Sequence, residues 1–278
     1  MALLLLSSGG HAARAFPLDE EIAAAIFDAR AAGRAFPDVP GGLGLERAYA
    51  VQRAFVNLAR DDAPFAGYKA GLTAPASWSR FGAGEPVRGV LLPQGERIPG
   101  RVIIRDPAAN MMIELELGFV MGRDVHQMLW RRDNPFRWVA VVIPVIEFPD
   151  LAYADTSKVS VVDIVATNVS AAGYLLGTER KTMPVDFSLD AFEVSLERDG
   201  ERILAASSAG GLGSQRRALH WLMSNVQHFQ MPLTSDMVLI TGALGGMIAA
   251  EPGHYVADFG PLGQLEFTIE AGDRFLRR

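Results

Sequence analysis

Cysteine is absent from the 278-residue chain, which excludes disulfide bonds, a thiolate nucleophile and a cysteine-ligated zinc site. Its absence leaves the redox compartment open. Long hydrophobic runs are also missing: no stretch of roughly 18 or more apolar residues occurs, so the sequence predicts no transmembrane helix. Basic charge is scarce too, since a net charge of -6 is opposite to the basic excess that is typical of nucleic-acid-binding proteins.

Several catalytic motifs are missing as well. The sequence has no Gly-x-Ser-x-Gly elbow, no P-loop and no Gly-x-Gly-x-x-Gly after a predicted strand. No two histidines have the spacing of a His-Glu-x-x-His zinc helix, so each is interpreted as structural or exposed; they are His11, His126, His220, His228 and His254.

What the chain does contain is three glutamates embedded in apolar, strand-like sequence. Glu114 and Glu116 lie within residues 111–120, and Glu147 interrupts the apolar run 141–148. Side chains at i and i+2 of a strand share a face, so the first two are predicted to project together, roughly 6–7 Å apart at the backbone.

A buried carboxylate is costly unless it is paired or bound to a metal. A third glutamate from a neighbouring strand would complete an all-oxygen site of the kind that Mg²⁺ prefers. For the Glu-x-Glu pair taken alone, a solvated face of a half-exposed sheet is the alternative. Glu147 argues against that alternative, because its run is typical of a strand buried on both faces.

Apolar periodicity predicts two N-terminal helices, at residues 18–34 and 45–61, separated by a loop rich in proline and glycine. Further helices are predicted at 162–176 and 216–229. Between them, short apolar runs predict strands at residues 89–92, 101–104, 112–121, 139–148, 192–198, 237–241, 255–259 and 264–270.

The predicted fold class is therefore α+β. A small N-terminal helical subdomain at residues 16–66 would precede a large, mainly β catalytic domain at 67–278. Residues 1–15 are either a tail or a signal remnant, because an apolar stretch is followed by small residues but no positively charged start precedes it. If this segment is a partial signal peptide, the protein would be periplasmic or exported and would begin near Phe16.

Seven stretches, in order, carry a resemblance to a known family. They are GYKAGLT at residues 67–73, IELELGFVMGRD at 113–124, PVIE at 144–147, DIVATNVSAAG at 163–173, TGALG at 241–245, PG at 252–253 and FGPLG at 259–263. Together they resemble the 2-keto-4-pentenoate hydratase and 4-oxalocrotonate decarboxylase group within the fumarylacetoacetate hydrolase superfamily. The resemblance spans about residues 18–270 and implies a mixed β-roll of the fumarylacetoacetate hydrolase type, a homo-oligomer and a cytoplasmic location.

The resemblance also implies a function. A divalent metal, Mg²⁺ or Mn²⁺, is expected on Glu114, Glu116 and Glu147. The expected reaction is addition of water to a short 2-hydroxy-2,4-dienoate (2-oxo-4-enoate) to give a 4-hydroxy-2-oxo acid. The expected partner is thus a small 2-oxo or 2-hydroxy carboxylic acid, with no nucleic acid and no membrane span.

Two alternatives stay open. One is a 2-oxo-enedioate decarboxylase or a related carbon–carbon lyase or hydrolase, and the other is a non-catalytic ligand-binding relative. Hydrolases of the superfamily generally use a His–Glu pair near the start of the β domain. The absence of histidine between His11 and His126 counts against hydrolysis.

Further site residues follow from the resemblance. Lys69 is implied to be a proton-transfer group or substrate clamp, the alternative being an ordinary surface lysine. The implied substrate-binding residues are Leu72, Asn168, Ser170, Thr241 and Gly242. Asn168 and Ser170 could instead cap or turn the local backbone, and the segment from Thr241 could be a tight strand exit.

The chain departs from the family pattern in one acidic motif. Where the family often reads Gly-Val-Asp-x-Pro-Asp-x-Gly, residues 82–89 read GAGEPVRG, so both acidic positions are lost, to Gly84 and Val87. Glu85 and Arg88 are the candidates to compensate, and Glu85 is the predicted second catalytic residue.

Two further acidic positions also differ. Thr167 replaces the aspartate of the family's Asp-Asn pair, and His254 stands where aspartate is usual. The metal ligands are expected to be intact and the proton-transfer shell altered, which leaves the substrate open.

Overall fold

The architecture comes from a computed structural model that describes residues 18–107, 109–182 and 187–272. Residues 1–15 lie outside these ranges. The helices are α1 (Asp19–Ala31), α2 (Leu45–Ala59), α3 (Trp78–Phe81), α4 (Val161–Ala166) and α5 (Gln215–His228). The strands are β1 (Gly67–Gly71), β2 (Val87–Leu91), β3 (Glu96–Arg97), β4 (Ile103–Arg105), β5 (Met112–Met121), β6 (Val139–Phe148), β7 (Gly173–Leu176), β8 (Glu193–Arg198), β9 (Glu201–Ser207), β10 (Val238–Ile240), β11 (Ile248–Ala249), β12 (Gly253–Asp258) and β13 (Gln264–Ala271).

The larger sheet has the order β2-β1-β10-β5-β6-β7-β3, with the short β11 also paired to β5. It is mixed: β1 runs parallel to β10 and β3 parallel to β7, whereas the other pairs are antiparallel. The ten-residue strands β5 and β6 lie near its middle and are buried on both faces over most of their length. A charged side chain on either strand is therefore held within the protein interior.

The second sheet has the order β4-β13-β12-β8-β9. Phe267 of β13 joins it to the larger sheet, because its ring contacts Phe148 of β6 and stacks on Tyr255 of β12, with centroids 5.6 and 4.9 Å apart. The hairpin between β8 and β9 turns at Asp199 and Gly200, whose φ values of 51° and 82° suit a two-residue Asp-Gly hairpin turn.

The N-terminal helices pack on the β strands rather than apart from them. Ile26 of α1 and Phe55 of α2 are fully buried in the same core as Phe119 of β5 and Leu219 of α5. The boundary between residues 66 and 67 stays a prediction. None of the described helices is both long enough and apolar enough to cross a membrane.

One predicted helix is wrong over most of its length. The segment 162–176 is helical only to Ala166, where α4 ends, and its last four residues form β7. Between them lies a left-handed turn of Asn168, Val169 and Ser170, with φ values of 57°, 54° and 55°. A β-branched residue such as valine is strained in this conformation, so the surrounding contacts must hold the turn in place.

Candidate metal and active site

Strands β5 and β6 bring the three glutamates together. Glu114 lies directly opposite Glu147 in the antiparallel register, and Glu116 lies two residues further along β5, opposite Val145. All three side chains share one face of the sheet, because side chains alternate along a strand. One carboxylate oxygen from each glutamate lies within 4.8 Å of the others, which is the spacing of a metal-binding group.

Burial makes this cluster electrostatically costly. Glu116 and Glu147 have no exposed surface, and Glu114 is partly buried. Burial raises the pKa of Glu114 to about 8, with Glu147 adding to the shift and Lys69 opposing it. Burial and the two neighbouring carboxylates hold the pKa of Glu116 well above its usual range.

Two oxygens of the cluster also lack partners. Among the described residues, Glu116 Oε1 and Glu147 Oε2 are buried without a hydrogen bond. An unsatisfied carboxylate oxygen inside a protein carries a substantial desolvation penalty. A hard divalent cation would both satisfy these oxygens and neutralise the like charges, so the three residues fit such an ion.

Lys69 is the cationic member of the site. Its Nζ forms a hydrogen-bonded ion pair with Glu147 Oε1 and donates to the Val169 carbonyl at 3.1 Å. Burial acts to lower the pKa of Lys69, but the three glutamates outweigh it and the net pKa is raised. With 3% of its surface exposed, Lys69 is not an ordinary surface lysine.

Glycine at position 89 makes room for this lysine. Gly89 of β2 lies opposite Lys69 of β1. A Cβ atom at position 89 would lie 2.8 Å from Lys69 Cγ and 3.0 Å from the Asn168 carbonyl oxygen. Any larger residue would therefore displace the lysine or the left-handed turn.

The left-handed turn supports Lys69 through backbone and side-chain bonds. The amide of Asn168 bonds to β2, because Oδ1 accepts from Val90 N at 2.8 Å and Nδ2 donates to Val90 O at 2.9 Å. These bonds place the Val169 carbonyl at Lys69. They use one hydrogen of Nδ2 and one lone pair of Oδ1, and the predicted substrate role of Asn168 stays a prediction.

The segment after β10 supplies a backbone donor. Gly242 N donates to Glu116 Oε2 at 2.7 Å. Its φ of 98° and its closeness to Thr73, whose Oγ1 would lie 2.3 Å from an added Cβ, explain why glycine occupies this position. Thr241 Oγ1 instead donates to Gln215 Oε1 at 2.6 Å, so its hydroxyl is used in packing against α5.

Leu72 and Glu85 lie on the segment that joins β1 to β2. Leu72 has a φ of 51°, and its carbonyl accepts a 2.6 Å hydrogen bond from Trp78 Nε1, which fixes the chain where it leaves β1. Glu85 is exposed and is not among the charges that shift the pKa of Lys69. The structure does not place Glu85 in the cluster, and its catalytic role stays a prediction.

Sequence reasoning missed Tyr153, whose hydroxyl lies in one hydrogen-bonded group with those of Thr167 and Ser170 beside the cluster. The Tyr153 hydroxyl lies 2.6 Å from Thr167 Oγ1 and 3.2 Å from Ser170 Oγ. Thr167 Oγ1 can donate its single hydrogen to the Asp163 carbonyl at 2.8 Å; with the hydrogen there, Tyr153 would donate to Thr167 and Ser170 to Tyr153. Burial raises the pKa of Tyr153, which keeps this hydroxyl protonated.

The sequence signal for Tyr153 itself is an aromatic residue in an otherwise small and polar loop. Tyr153 also forms a backbone bridge to Phe36, whose ring meets its own edge-on at 5.5 Å. The N-terminal loop thus helps to position a hydroxyl group at the site.

No family model matches the chain. A 2-keto-4-pentenoate hydratase of Paraburkholderia xenovorans is 30% identical to it, over 84% of this chain and 88% of its own length. The chain belongs to the 2-keto-4-pentenoate hydratase family. A second member of this hydratase family, from Burkholderia vietnamiensis, is 30% identical over 89% of this chain and 96% of its own.

Solved structures confirm the predicted α+β fold of the fumarylacetoacetate hydrolase type. The 4-oxalocrotonate decarboxylase from Pseudomonas putida, complexed with magnesium and adipate, matches with a TM-score of 0.82 at 20% identity. The match covers 91% of this chain and 97% of the decarboxylase. At this identity the likeness concerns the fold, and the reaction must be argued from the residues of the hydratase-family site.

Proposed function

We propose that this chain is a divalent-metal-dependent hydratase. It would convert a short 2-hydroxy-2,4-dienoate into a 4-hydroxy-2-oxo acid, with Mg²⁺ or Mn²⁺ as cofactor. The observation that carries the proposal is the buried carboxylate cluster with two partnerless oxygens beside Lys69, in a chain of the hydratase family.

The reaction needs two changes in the substrate. Proton transfer from the 2-hydroxyl to C5 gives a 2-oxo-3-enoate, and water then adds its oxygen to C4 while C3 gains a proton. Glu114, Glu116 and Glu147 would hold the cation, which as a Lewis acid stabilises negative charge at the 2-oxygen of a bound keto acid.

Lys69 is proposed as the proton-transfer group at the 2-oxygen. Two of its three ammonium hydrogens are engaged, by Glu147 and by the Val169 carbonyl, and the described residues give the third hydrogen no acceptor, so it is proposed to bond to the substrate. Its raised pKa keeps the ammonium charged while the glutamates are ionised. Neutralisation of those glutamates would lower the pKa again, which suits acid–base exchange.

The hydroxyl pair of Tyr153 and Ser170 is proposed to orient the attacking water. With the Ser170 hydrogen donated to Tyr153, the oxygen lone pairs of Ser170 remain to accept from water. Thr167 cannot act as a base as the family's aspartate could, so these residues hold the water rather than deprotonate it. Ser170 is the predicted substrate-binding residue that this arrangement favours most.

The test is a steady-state ultraviolet assay on purified protein with 2-hydroxypenta-2,4-dienoate. The absorbance of the dienol should disappear with Mg²⁺ or Mn²⁺, persist with EDTA, and persist in Glu147→Gln. Glu251→Gln, an exposed glutamate, is the matched control and should retain activity. Persistence of the dienol with wild-type protein and either metal would exclude the proposed hydratase.

Two further measurements on the purified protein distinguish the hydratase from the two alternative functions. Release of carbon dioxide from a 2-oxo-enedioate without hydration would identify a decarboxylase. Absence of both reactions, with metal bound, would leave a ligand-binding relative. The predicted homo-oligomer is tested independently by sedimentation of the purified chain.

A further inference from the structure

A cavity lies behind the site, on the other face of β2. Gly89 faces Lys69, so its neighbour Arg88 points to the opposite face of the sheet. The Arg88 side chain borders a cavity of about 230 Å³ whose other walls include Arg53, Phe65, Phe229 and Met231. We call this space the Arg88 cavity.

Arg88 is buried, and the part of the chain that the structure describes gives it no counter-ion. It is 2% exposed, and its guanidinium lies beside the contacting rings of Tyr49 and Phe229, 5.1 and 5.2 Å from their centroids, which are 4.7 Å apart. Nε donates to Asn225 Oδ1 at 3.1 Å, whereas Nη1 is buried without a hydrogen bond among the described residues. No described carboxylate forms an ion pair with it.

A second cation makes this arrangement more costly. The exposed Arg53 lines the same cavity and acts on Arg88 as a like charge. The described residues give Arg53 no ion pair either. Buried charges in proteins are generally paired, and aromatic stacking offsets only part of the cost of burying a guanidinium. Two neighbouring guanidinium groups without an acid are complementary to an anion.

We propose that the Arg88 cavity binds a small organic carboxylate. The planar guanidinium of Arg88 presents donors that match a carboxylate, and Arg53 adds positive charge at the solvent side. The remaining walls combine aromatic and apolar side chains with the amides of Gln52, Asn57 and Gln230 and contain no further cation, so they accept a hydrocarbon body but give a second anionic group no ion-pair partner. This favours a monocarboxylate over inorganic phosphate. The proposal is independent of the metal cluster and of the hydratase reaction.

Benzoate is the probe for this cavity. The protein is titrated by calorimetry in EDTA, and again in Glu116→Gln, so that a metal-bound carboxylate cannot contribute. Saturable binding at one site is expected in both proteins. Arg88→Met should weaken it by about 10-fold or more, and Arg53→Gln by about 3-fold, because each removes a charged partner.

Folding does not obscure this test. Arg88→Met replaces a buried, unpaired charge with an apolar side chain, so its melting temperature should equal or exceed that of the wild type. If Arg88→Met fails to fold, the benzoate affinity of Arg53→Gln, which changes an exposed residue, tests the site instead. Absence of saturable benzoate binding to the wild type, or unchanged affinity in the variants that fold, overturns the site. Competition by phosphate as strong as by benzoate overturns its preference for an organic carboxylate.

Discussion

Replacing Glu116 by glutamine should separate metal binding from folding. Glutamine keeps the size of the side chain and an oxygen that can accept from Gly242 N, while removing one of three buried carboxylates. Because the pKa of Glu116 is already held well above its usual range, a neutral side chain suits the metal-free protein. Without metal, the free energy of unfolding of Glu116→Gln should equal that of the wild type or exceed it by up to about 2 kcal/mol.

Adding Mg²⁺ should stabilise the wild type far more than it stabilises Glu116→Gln. At a Mg²⁺ concentration about 100 times the dissociation constant, binding adds about 2.7 kcal/mol to the stability of the wild type. For a chain of this size, that corresponds to a rise in melting temperature of roughly 5–10 °C. Glu116→Gln loses one of three ligands and should show almost none of this rise.

The measurement is a pair of thermal scans for each protein, with EDTA and with Mg²⁺. Glu251→Gln is the control, because Glu251 is exposed and outside the cluster, and it should shift as the wild type does. Two results would refute the reasoning: a full Mg²⁺ shift in Glu116→Gln, or metal-free melting of this variant far below that of the wild type.

The remaining predictions concern the same region. Lys69→Met should keep Mg²⁺ binding by calorimetry but lose turnover by roughly 10²-fold or more, since a general acid–base group is removed; an unchanged rate would exclude Lys69 from the chemistry. Tyr153→Phe should lower kcat by roughly 3- to 10-fold with metal affinity unchanged, because Ser170 loses the hydroxyl that orients it; equal kcat values would remove the hydroxyl pair from the mechanism. Asn168→Ala should cost about 1–3 kcal/mol in urea unfolding, with KM nearly unchanged, because its amide bonds to β2; a large rise in KM at unchanged stability would instead assign the amide to the substrate. Burial raises the pKa of Glu114 from 4.5 to about 8 in the metal-free native protein. Between pH 4.5 and about pH 8, the native protein therefore holds one more proton than the unfolded chain. Stability in EDTA should fall as pH rises through this interval, while stabilisation by Mg²⁺ grows; scans showing the opposite slopes would contradict the raised pKa.

Much of the fold could be predicted from the local pattern of apolar residues in the sequence. The long strands β5 and β6 begin and end at the residues that apolar runs indicated, and α1, α2 and α5 differ from the predicted helices by only a few residues. The meeting of Glu114 with Glu147 was also accessible in outline, because an isolated charge in a doubly buried strand requires a partner.

The features that the sequence did not predict correctly depend on tertiary contacts. Residues 162–176 are apolar enough for a helix, but the Asn168 amide bonds to β2 and leaves the backbone in a left-handed turn. The role of Tyr153 depends on hydroxyl groups that come together only when its loop folds over α4. The burial of Arg88 was not predicted either, because an arginine is usually exposed.

The register of β5 and β6 has a consequence for how the protein folds. A slip of one residue would turn Glu147 to the opposite face and carry it away from Glu114. A cation that needs oxygens from both strands could bind only the native alignment, so it would favour correctly paired chains over misaligned ones by its own binding free energy. Refolding with Mg²⁺ should therefore yield more native protein than refolding in a chelator.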